Sequence, residues 1–260
     1  MCKIKKAGNY LLSFLCYIKI GDIMNNIFEK GEKYRLYRTV KEIFHPTISK
    51  KNISNYKIIV KENLLPLRIF YPEKVTNMEN VIIYIPGDVT LTKCNEKYSD
   101  ISSLFALKTN NLVITIDISD NNKTSNKKYL NNIYEVIKYL YFELLNLNIK
   151  NITLLGDSTG ATTILKLNKK LEEENISINK QILFYPMIID KFMTKKSKSE
   201  KERFINKLII IGDKDDNYNE LKLLSNKLFI INNMKHGFLK EENITLTNNY
   251  IDAMNEYLKG

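Results

Sequence analysis

Short, almost uninterrupted apolar runs recur along the chain, and they restrict its fold more than any other feature. The clearest run spans residues 81–85 and is stopped by Pro86-Gly87. Strands buried on both faces of a largely parallel sheet have this continuous pattern, whereas half-exposed strands alternate apolar and polar residues. Similar runs follow at 112–116, 152–155, 181–185, 208–211 and 228–231. The pattern predicts a mostly parallel central sheet.

Helical patterns separate several of these runs. Residues 129–147 place leucines and isoleucines at three- and four-residue steps, and further helical patterns span 161–171 and 246–258. Two earlier β-rich runs, 55–61 and 67–71, predict an antiparallel start to the sheet. Strands separated by helices imply right-handed crossovers, with helices on both faces of the sheet. The predicted fold class is therefore α/β.

The chain is long and apolar enough for one sizeable core, with 44% hydrophobic residues in 260. No linker divides it, and we expect a helical N-terminal or cap segment at 1–54 followed by the main domain at 55–260. The apolar stretch 10–18 is too short to span a bilayer, and Lys19 interrupts it. An amphipathic helix over about 9–28 is the preferred interpretation. Membrane contact or export through this segment is the alternative.

The net charge of +11 raises the question of a nucleic-acid partner. The lysines are spread along the whole chain without a nucleic-acid-binding motif, so solvated faces explain them better and no such partner is expected.

Three scattered cysteines, Cys2, Cys16 and Cys94, are too few for a disulfide scaffold. With only two histidines they form no zinc-ligand spacing, so no metal site is expected. This cysteine usage predicts a cytoplasmic location.

The residues that follow each apolar run matter most for function, because ligands bind beyond the carboxyl ends of the strands in such sheets. The run 152–155 is followed by Gly156-Asp157-Ser158-Thr159-Gly160 and then by a helical pattern. This motif at a strand–helix junction is typical of a nucleophile elbow, whose serine has a strained backbone flanked by small residues. The helix amino terminus there favours developing negative charge. A structural turn with an incidental serine is the alternative.

A nucleophilic serine needs a base and an acid, which follow an elbow serine in the order acid, then histidine. His236 follows the last strand, whereas His45 precedes the sheet, so His236 is the predicted base. The acid should follow the penultimate strand, to fix the imidazole tautomer and stabilise the imidazolium. Asp215 is the preferred acid there. The alternatives are Asp213 and Asp216 in the same loop, and less favoured Asp190.

These motifs resemble the α/β-hydrolase superfamily and, within it, the hormone-sensitive-lipase-like, acetyl-esterase branch. The resemblance covers about 56–260 and rests on the elbow pentapeptide, Tyr185-Pro186 with Asp190, Gly212-Asp213-Lys214-Asp215, and His236-Gly237-Phe238. It implies an α/β-hydrolase fold and a carboxylic-ester hydrolase that needs no cofactor. Its substrates would be small-molecule esters with short acyl chains. Larger relatives carry a helical lid where this chain has only 187–206, so a reduced lid is expected.

One departure from that branch concerns the oxyanion hole. The branch carries His-Gly-Gly-Gly after the third strand, whereas this chain has Pro86-Gly87-Asp88-Val89. Because the hole uses backbone donors, the amides of Gly87 or Asp88, together with that of Thr159, are the predicted donors. A carboxylate at Asp88 would repel a forming oxyanion unless it were turned away.

The sequence therefore predicts a serine hydrolase in which Ser158 attacks, His236 transfers the proton and Asp215 orients His236. Two alternatives remain. A non-catalytic α/β-hydrolase-like binding protein would use the same pocket, and the departure at Pro86-Gly87-Asp88 favours it. Another acyl-transfer enzyme, such as a peptidase, thioesterase or acyltransferase, would use the same triad.

Overall fold

A computed structural model of the protein describes most of the main domain. The described residues are 35–37, 53–60, 63–72, 80–87, 95–116, 126–146, 149, 151–187, 206–222, 227–241 and 244–260. The predicted helix at 9–28, the oxyanion candidate Asp88 and the alternative acid Asp190 lie outside these ranges, as does nearly all of the expected lid segment.

The described elements alternate between strands and helices along the chain. The strands are β1 (Arg35–Tyr37), β2 (Ile53–Val60), β3 (Asn63–Phe70), β4 (Asn80–Ile85), β5 (Leu112–Ile116), β6 (Asn151–Asp157), β7 (Lys180–Phe184), β8 (Asn206–Gly212) and β9 (Lys227–Ile231). The helices are α1 (Asn95–Thr109), α2 (Asn126–Asn146), α3 (Ser158–Glu173), α4 (Tyr218–Leu221) and α5 (Ile244–Lys259), with a 3-10 turn at Phe238–Lys240. This succession confirms the predicted α/β class.

The described strands form one sheet in the order β1-β2-β3-β5-β4-β6-β7-β8-β9. The pairs β1–β2, β2–β3 and β3–β5 are antiparallel, and the five pairs from β5–β4 to β8–β9 are parallel. A mostly parallel sheet with an antiparallel start was predicted, and the structure confirms it. The three central strands carry the continuous apolar runs and are buried along almost their whole length.

The connections place helices on both faces of the sheet. The crossover through α1 runs from β4 to β5, whereas the crossovers through α2 and α3 run in the opposite direction across the sheet. Right-handed crossovers in opposite directions leave their helices on opposite faces. Helix α5 packs against α1, and α2 packs against α3, so each face carries a pair of helices. No helix within the described ranges has the length and apolar character needed to cross a membrane.

Two elements differ from the sequence prediction. Helix α1 was not predicted, because its buried face includes the polar Ser102 and Ser103 beside Tyr98 and Phe105, which weakens the apolar periodicity. Strand β3 begins at Asn63, four residues earlier than predicted, and runs through Pro66. Proline is tolerated there because β5 pairs with β3 only from Leu67 onward, so the proline needs no donor on that side.

Two boundaries also differ. Strand β1 lies within 1–54, the segment predicted to be helical or a cap, and its pairing with β2 extends the sheet by one short strand. Helix α3 begins at Ser158 itself rather than near Ala161. The nucleophile candidate therefore stands at the junction of β6 and α3, at the carboxyl edge of the parallel strands.

Candidate active site

Ser158 occupies the sharp turn between β6 and α3. Its φ of +47° lies in the left-handed region, which is unusual for a residue other than glycine. Such a conformation costs about 1 to 3 kcal/mol and persists only where the surrounding structure holds it. The side chain is half-buried at the carboxyl edge of the sheet, so the turn presents the hydroxyl outward.

The elbow is closely packed against the neighbouring strand β4. A Cβ atom built on Gly160 would lie 1.9 Å from the carbonyl oxygen of Ile85, and one built on Gly156 would lie 2.6 Å from the amide nitrogen of Ala161. Both contacts are with backbone atoms, which cannot move aside as the end of a flexible side chain can. The small residues on either side of Ser158 are therefore required by packing.

Gly160→Ala is expected to lower the free energy of unfolding by about 3 kcal/mol, because the added methyl forces β4 and α3 apart. For a domain of this size that corresponds to a fall in Tm of about 6 to 12 °C. Thermal unfolding followed by circular dichroism measures it. Gly260→Ala is the matched control, since a Cβ there would meet its nearest neighbour only at 3.9 Å. A loss below about 1 kcal/mol in Gly160→Ala would contradict the tight junction.

The structure brings Ser158, His236 and Asp215 into one hydrogen-bonded row. Ser158 Oγ lies 2.8 Å from His236 Nε2, and His236 Nδ1 lies 2.9 Å from Asp215 Oδ2. These residues come from three different connections, those that follow β6, β8 and β9. The separations in sequence are 78 and 21 residues, so only the fold can bring them together.

The hydrogen bonds determine the imidazole tautomer. An ionised carboxylate only accepts hydrogen bonds, so His236 Nδ1 must carry a proton and donate it to Asp215. His236 Nε2 then offers its lone pair to the Ser158 hydroxyl. The Asp215 side chain is 0% exposed, whereas that of His236 is 36% exposed. The acid is shielded from solvent while the imidazole stays accessible.

Asp215 is held in its ionised form by its neighbours. Burial alone would raise the pKa of its carboxyl group, but hydrogen bonds from His236 and Asn217 outweigh burial and bring the pKa below its ordinary value. Asp215 Oδ1 accepts the backbone amide of Asn217 at 2.9 Å, which leaves Oδ2 for the imidazole. The alternatives Asp213 and Asp216 are both exposed.

Backbone hydrogen bonds fix the two loops that carry the acid and the base. The amide of Asp213 donates to Ile231 O at 3.1 Å, and that of Lys214 donates to Met234 O at 3.0 Å. The ring of Tyr185, which follows β7, packs edge-on against the imidazole of His236 with centroids 4.8 Å apart. These contacts hold the imidazole between Asp215 and Ser158.

The structure distinguishes among the three predicted oxyanion donors. The Gly87 amide donates to Asp157 Oδ1 at 2.8 Å, so its single hydrogen is already engaged. Thr159 lies in the first turn of α3, where amides have no acceptor within the helix. Asp88 lies outside the described residues. The Thr159 amide is thus the described candidate that remains open to a ligand.

Sequence reasoning missed three residues that support the site. Asn217 holds Asp215 through its backbone amide, a donor that every residue except proline has, so the sequence carried no specific signal for it. Thr162 Oγ1 accepts the amide of Met187 at 2.8 Å and so ties the loop after β7 to α3. Asp157 was noted only as part of the elbow motif.

Within the described ranges, no group of three or more His, Cys, Asp or Glu side chains is placed to hold a metal ion.

Comparison with solved structures shows the same fold in several esterases. An arylesterase aligns with a TM-score of 0.61 at 14% identity, covering 80% of this chain and 83% of its own. The hyperthermophilic esterase from the archaeon Pyrobaculum calidifontis aligns with a TM-score of 0.63 at 14% identity, covering 80% and 82%. Esterase LipW from Mycobacterium marinum gives 0.63 at 14% identity, covering 80% and 81%. Identities this low show the fold alone.

Sequence comparison with protein families gives the assignment. Among curated proteins, none matches the sequence. A family model described as alpha/beta hydrolase fold matches residues 87–227, which is more than half of the chain and runs from the end of β4 to the start of β9. The chain therefore belongs to the α/β-hydrolase fold family, as its resemblance to the esterase branch of that superfamily predicted.

Proposed function

We propose that this protein hydrolyses carboxylic esters of small molecules through an acyl-serine intermediate, with Ser158, His236 and Asp215 as its catalytic triad. The observation that carries the proposal is the row of two hydrogen bonds, of 2.8 and 2.9 Å, that links the three side chains. An acid, an imidazole and a hydroxyl in this order can activate the hydroxyl as a nucleophile. Membership of the α/β-hydrolase family supports the same conclusion.

In the first half of the proposed reaction, Ser158 Oγ attacks the acyl carbon while His236 Nε2 takes the hydroxyl proton. The carbonyl oxygen becomes an oxyanion, for which the proposed donors are the amides of Thr159 and Asp88. The imidazolium is stabilised by the buried carboxylate of Asp215. His236 then gives the proton to the alcohol oxygen as the ester C–O bond breaks, and the acyl group remains on Ser158.

In the second half, water replaces the alcohol. His236 Nε2 takes a proton from the water as its oxygen attacks the acyl carbon. It then returns the proton to Ser158 Oγ as the bond between Oγ and the acyl carbon breaks and the carboxylic acid leaves. The accessible edge of His236 supports this step, because water must reach the same nitrogen. The proposed substrates carry short acyl chains, as the resemblance to the acetyl-esterase branch implies. The reaction is proposed to take place in the cytoplasm.

The non-catalytic alternative has one observation in its favour. The Gly87 amide is engaged by Asp157, so Asp88 is the one of the two alternative donors after β4 that is left to serve with Thr159. Loss of one oxyanion donor typically costs about 100- to 1,000-fold in kcat. The strained Ser158 and its contact with His236 favour catalysis, because a binding pocket needs neither.

The proposed function is tested by hydrolysis and labelling of the wild-type protein. With p-nitrophenyl acetate, butyrate and octanoate, we expect turnover, with kcat/KM for butyrate at least about tenfold above that for octanoate. A fluorophosphonate should add its mass to the peptide that contains Ser158, and heat-denatured protein is the control. Labelling without turnover would favour another acyl-transfer reaction. Neither signal in a folded protein would favour the non-catalytic alternative.

A further inference from the structure

A buried carboxyl group that the proposed reaction does not use lies directly beside the nucleophile. Asp157 is the last residue of β6 and is 1% exposed. Burial raises the pKa of its carboxyl group, and hydrogen bonds from Tyr84 and Gly87 oppose that rise. A group so completely buried is retained only with hydrogen-bond partners, and its partners indicate its role.

Asp157 does not cap the helix that it precedes. It occupies the N-cap position of α3, where an aspartate ordinarily accepts a hydrogen bond from the amide of the second or third helical residue. Here the side chain makes no such bond to the helix. The amides of the first turn of α3, including that of Thr159, therefore keep their hydrogens for another acceptor.

The carboxylate instead reaches across to strand β4 and the residues after it. Asp157 Oδ1 accepts the hydroxyl of Tyr84 at 2.7 Å and the amide of Gly87 at 2.8 Å. Backbone pairing of β4 with β6 ends at Ile85 and Gly156. Pro86 has no amide hydrogen, so Gly87 carries the first donor after β4. The Asp157 side chain thus continues the link between the two strands beyond their last backbone pair.

This bond holds Gly87 against the nucleophile. A Cβ on Gly87 would lie 2.8 Å from Ser158 Cβ and 2.4 Å from the carbonyl oxygen of Asp157. The backbone at Gly87 is therefore too close to the elbow to accommodate any side chain. A shift of the backbone here would change the space in which the acyl carbonyl of a substrate has to fit.

We infer that Asp157 is a positioning residue for the oxyanion hole. Its carboxylate fixes the backbone after β4 against Ser158, and by turning away from α3 it leaves the first-turn amides free to bind the oxyanion. This inference rests on the proposed esterase function, because it concerns the transition state of that reaction. A positioning role of this kind affects kcat more than KM, since the oxyanion forms only after substrate has bound.

The test compares two variants that differ only at Asp157. Tyr84→Phe removes one donor but keeps the bond to Gly87, so kcat for p-nitrophenyl butyrate should stay within about threefold of wild type. Tyr84→Phe/Asp157→Leu replaces the buried polar pair by apolar side chains, so that no Tyr84 hydroxyl is left without its acceptor, whereas the Tyr98 hydroxyl, 3.5 Å from Asp157 Oδ2, loses that partner. It leaves Gly87 without its acceptor, and kcat should fall by about 100-fold or more with KM changed less than about threefold.

Asp157→Asn supplies the conservative comparison. Its carbonyl oxygen can still accept the Gly87 amide, although the bond loses its charge-assisted strength, so kcat should remain within about tenfold of wild type. Thermal unfolding establishes that each variant is folded. The inference is overturned if the folded double variant keeps the kcat of Tyr84→Phe, or if the loss appears in KM alone.

The two proposals fail in different ways. If wild type hydrolyses esters and Ser158→Ala does not, but the loss at Asp157 is absent, the positioning role is wrong and the esterase function stands. If the folded wild type neither turns over esters nor takes the fluorophosphonate label, the proposed function is wrong, and the inference that depends on it falls with it.

Discussion

Ser158→Ala is expected to lower kcat for p-nitrophenyl butyrate by about 10⁴- to 10⁶-fold, the range seen when a triad nucleophile is removed. The reason is chemical, since alanine offers no oxygen to form the acyl intermediate and the remaining groups can act only on water. The site loses only a half-buried hydroxyl, so Tm should change by no more than about 3 °C. Steady-state hydrolysis and thermal unfolding measure the two effects.

The control for this variant is Ser177→Ala, which removes the same hydroxyl from an exposed position between α3 and β7. It should retain wild-type turnover and the fluorophosphonate label. If Ser158→Ala kept turnover within about tenfold of wild type, Ser158 would not be the nucleophile and the proposed mechanism would be wrong. If its turnover vanished together with its cooperative unfolding, the loss would reflect misfolding.

The sheet could be predicted because its signals are local. The run 81–85 is apolar at every position, and the structure buries every one of those residues in β4. The elbow motif is also local, because the two glycines flanking Ser158 are required by packing within a few residues of the turn and against one neighbouring strand. The order of Ser158, Asp215 and His236 follows from the order of the strands, so sequence position alone suggested candidates for all three roles.

The parts that were missed depend on contacts between distant segments. The bond between the Gly87 amide and Asp157 joins residues 70 positions apart, and no local pattern indicates that this amide is engaged. Helix α1 was not predicted because its buried face includes the polar Ser102, whose hydroxyl is hydrogen-bonded to that of Thr115 on β5. Hydrophobic periodicity cannot register a polar residue that is buried through its partner.

The acid of the triad was predicted only in part, because the sequence offered three aspartates for this role. Asp213, Asp215 and Asp216 are the same residue type within four residues of the end of β8, and the sequence preferred Asp215 without excluding the others. The structure buries Asp215 and exposes the other two, because the chain turns around the Asp215 carboxylate through its bond to the Asn217 amide. Each of the three aspartates has a residue with a backbone amide two positions on, so the capacity for this turn does not rank them from the sequence.

Asp215→Asn is expected to lower kcat by about 10³- to 10⁴-fold while leaving the fold intact. Two donors from Asn217, its amide at 2.9 Å and its side chain at 3.3 Å, both point at Asp215 Oδ1. The asparagine carbonyl oxygen will take that place, because an NH₂ group there would face two donors. Its NH₂ group then takes the place of Oδ2 and donates to His236 Nδ1. The imidazole proton must move to Nε2, where no lone pair remains to accept the Ser158 proton.

Asp213→Asn and Asp216→Asn are matched controls, since each removes one carboxylate charge from the same loop at an exposed position. Both should keep kcat within about threefold of wild type, because exposed charges contribute little to a neighbouring site. Hydrolysis of p-nitrophenyl butyrate by the three variants measures the ranking directly. A large loss of kcat in either control, with little loss in Asp215→Asn, would show that Asp215 is not the acid of the triad. Equal, modest losses in all three would mean that the loop acts through its total charge, and the tautomer argument would then be wrong.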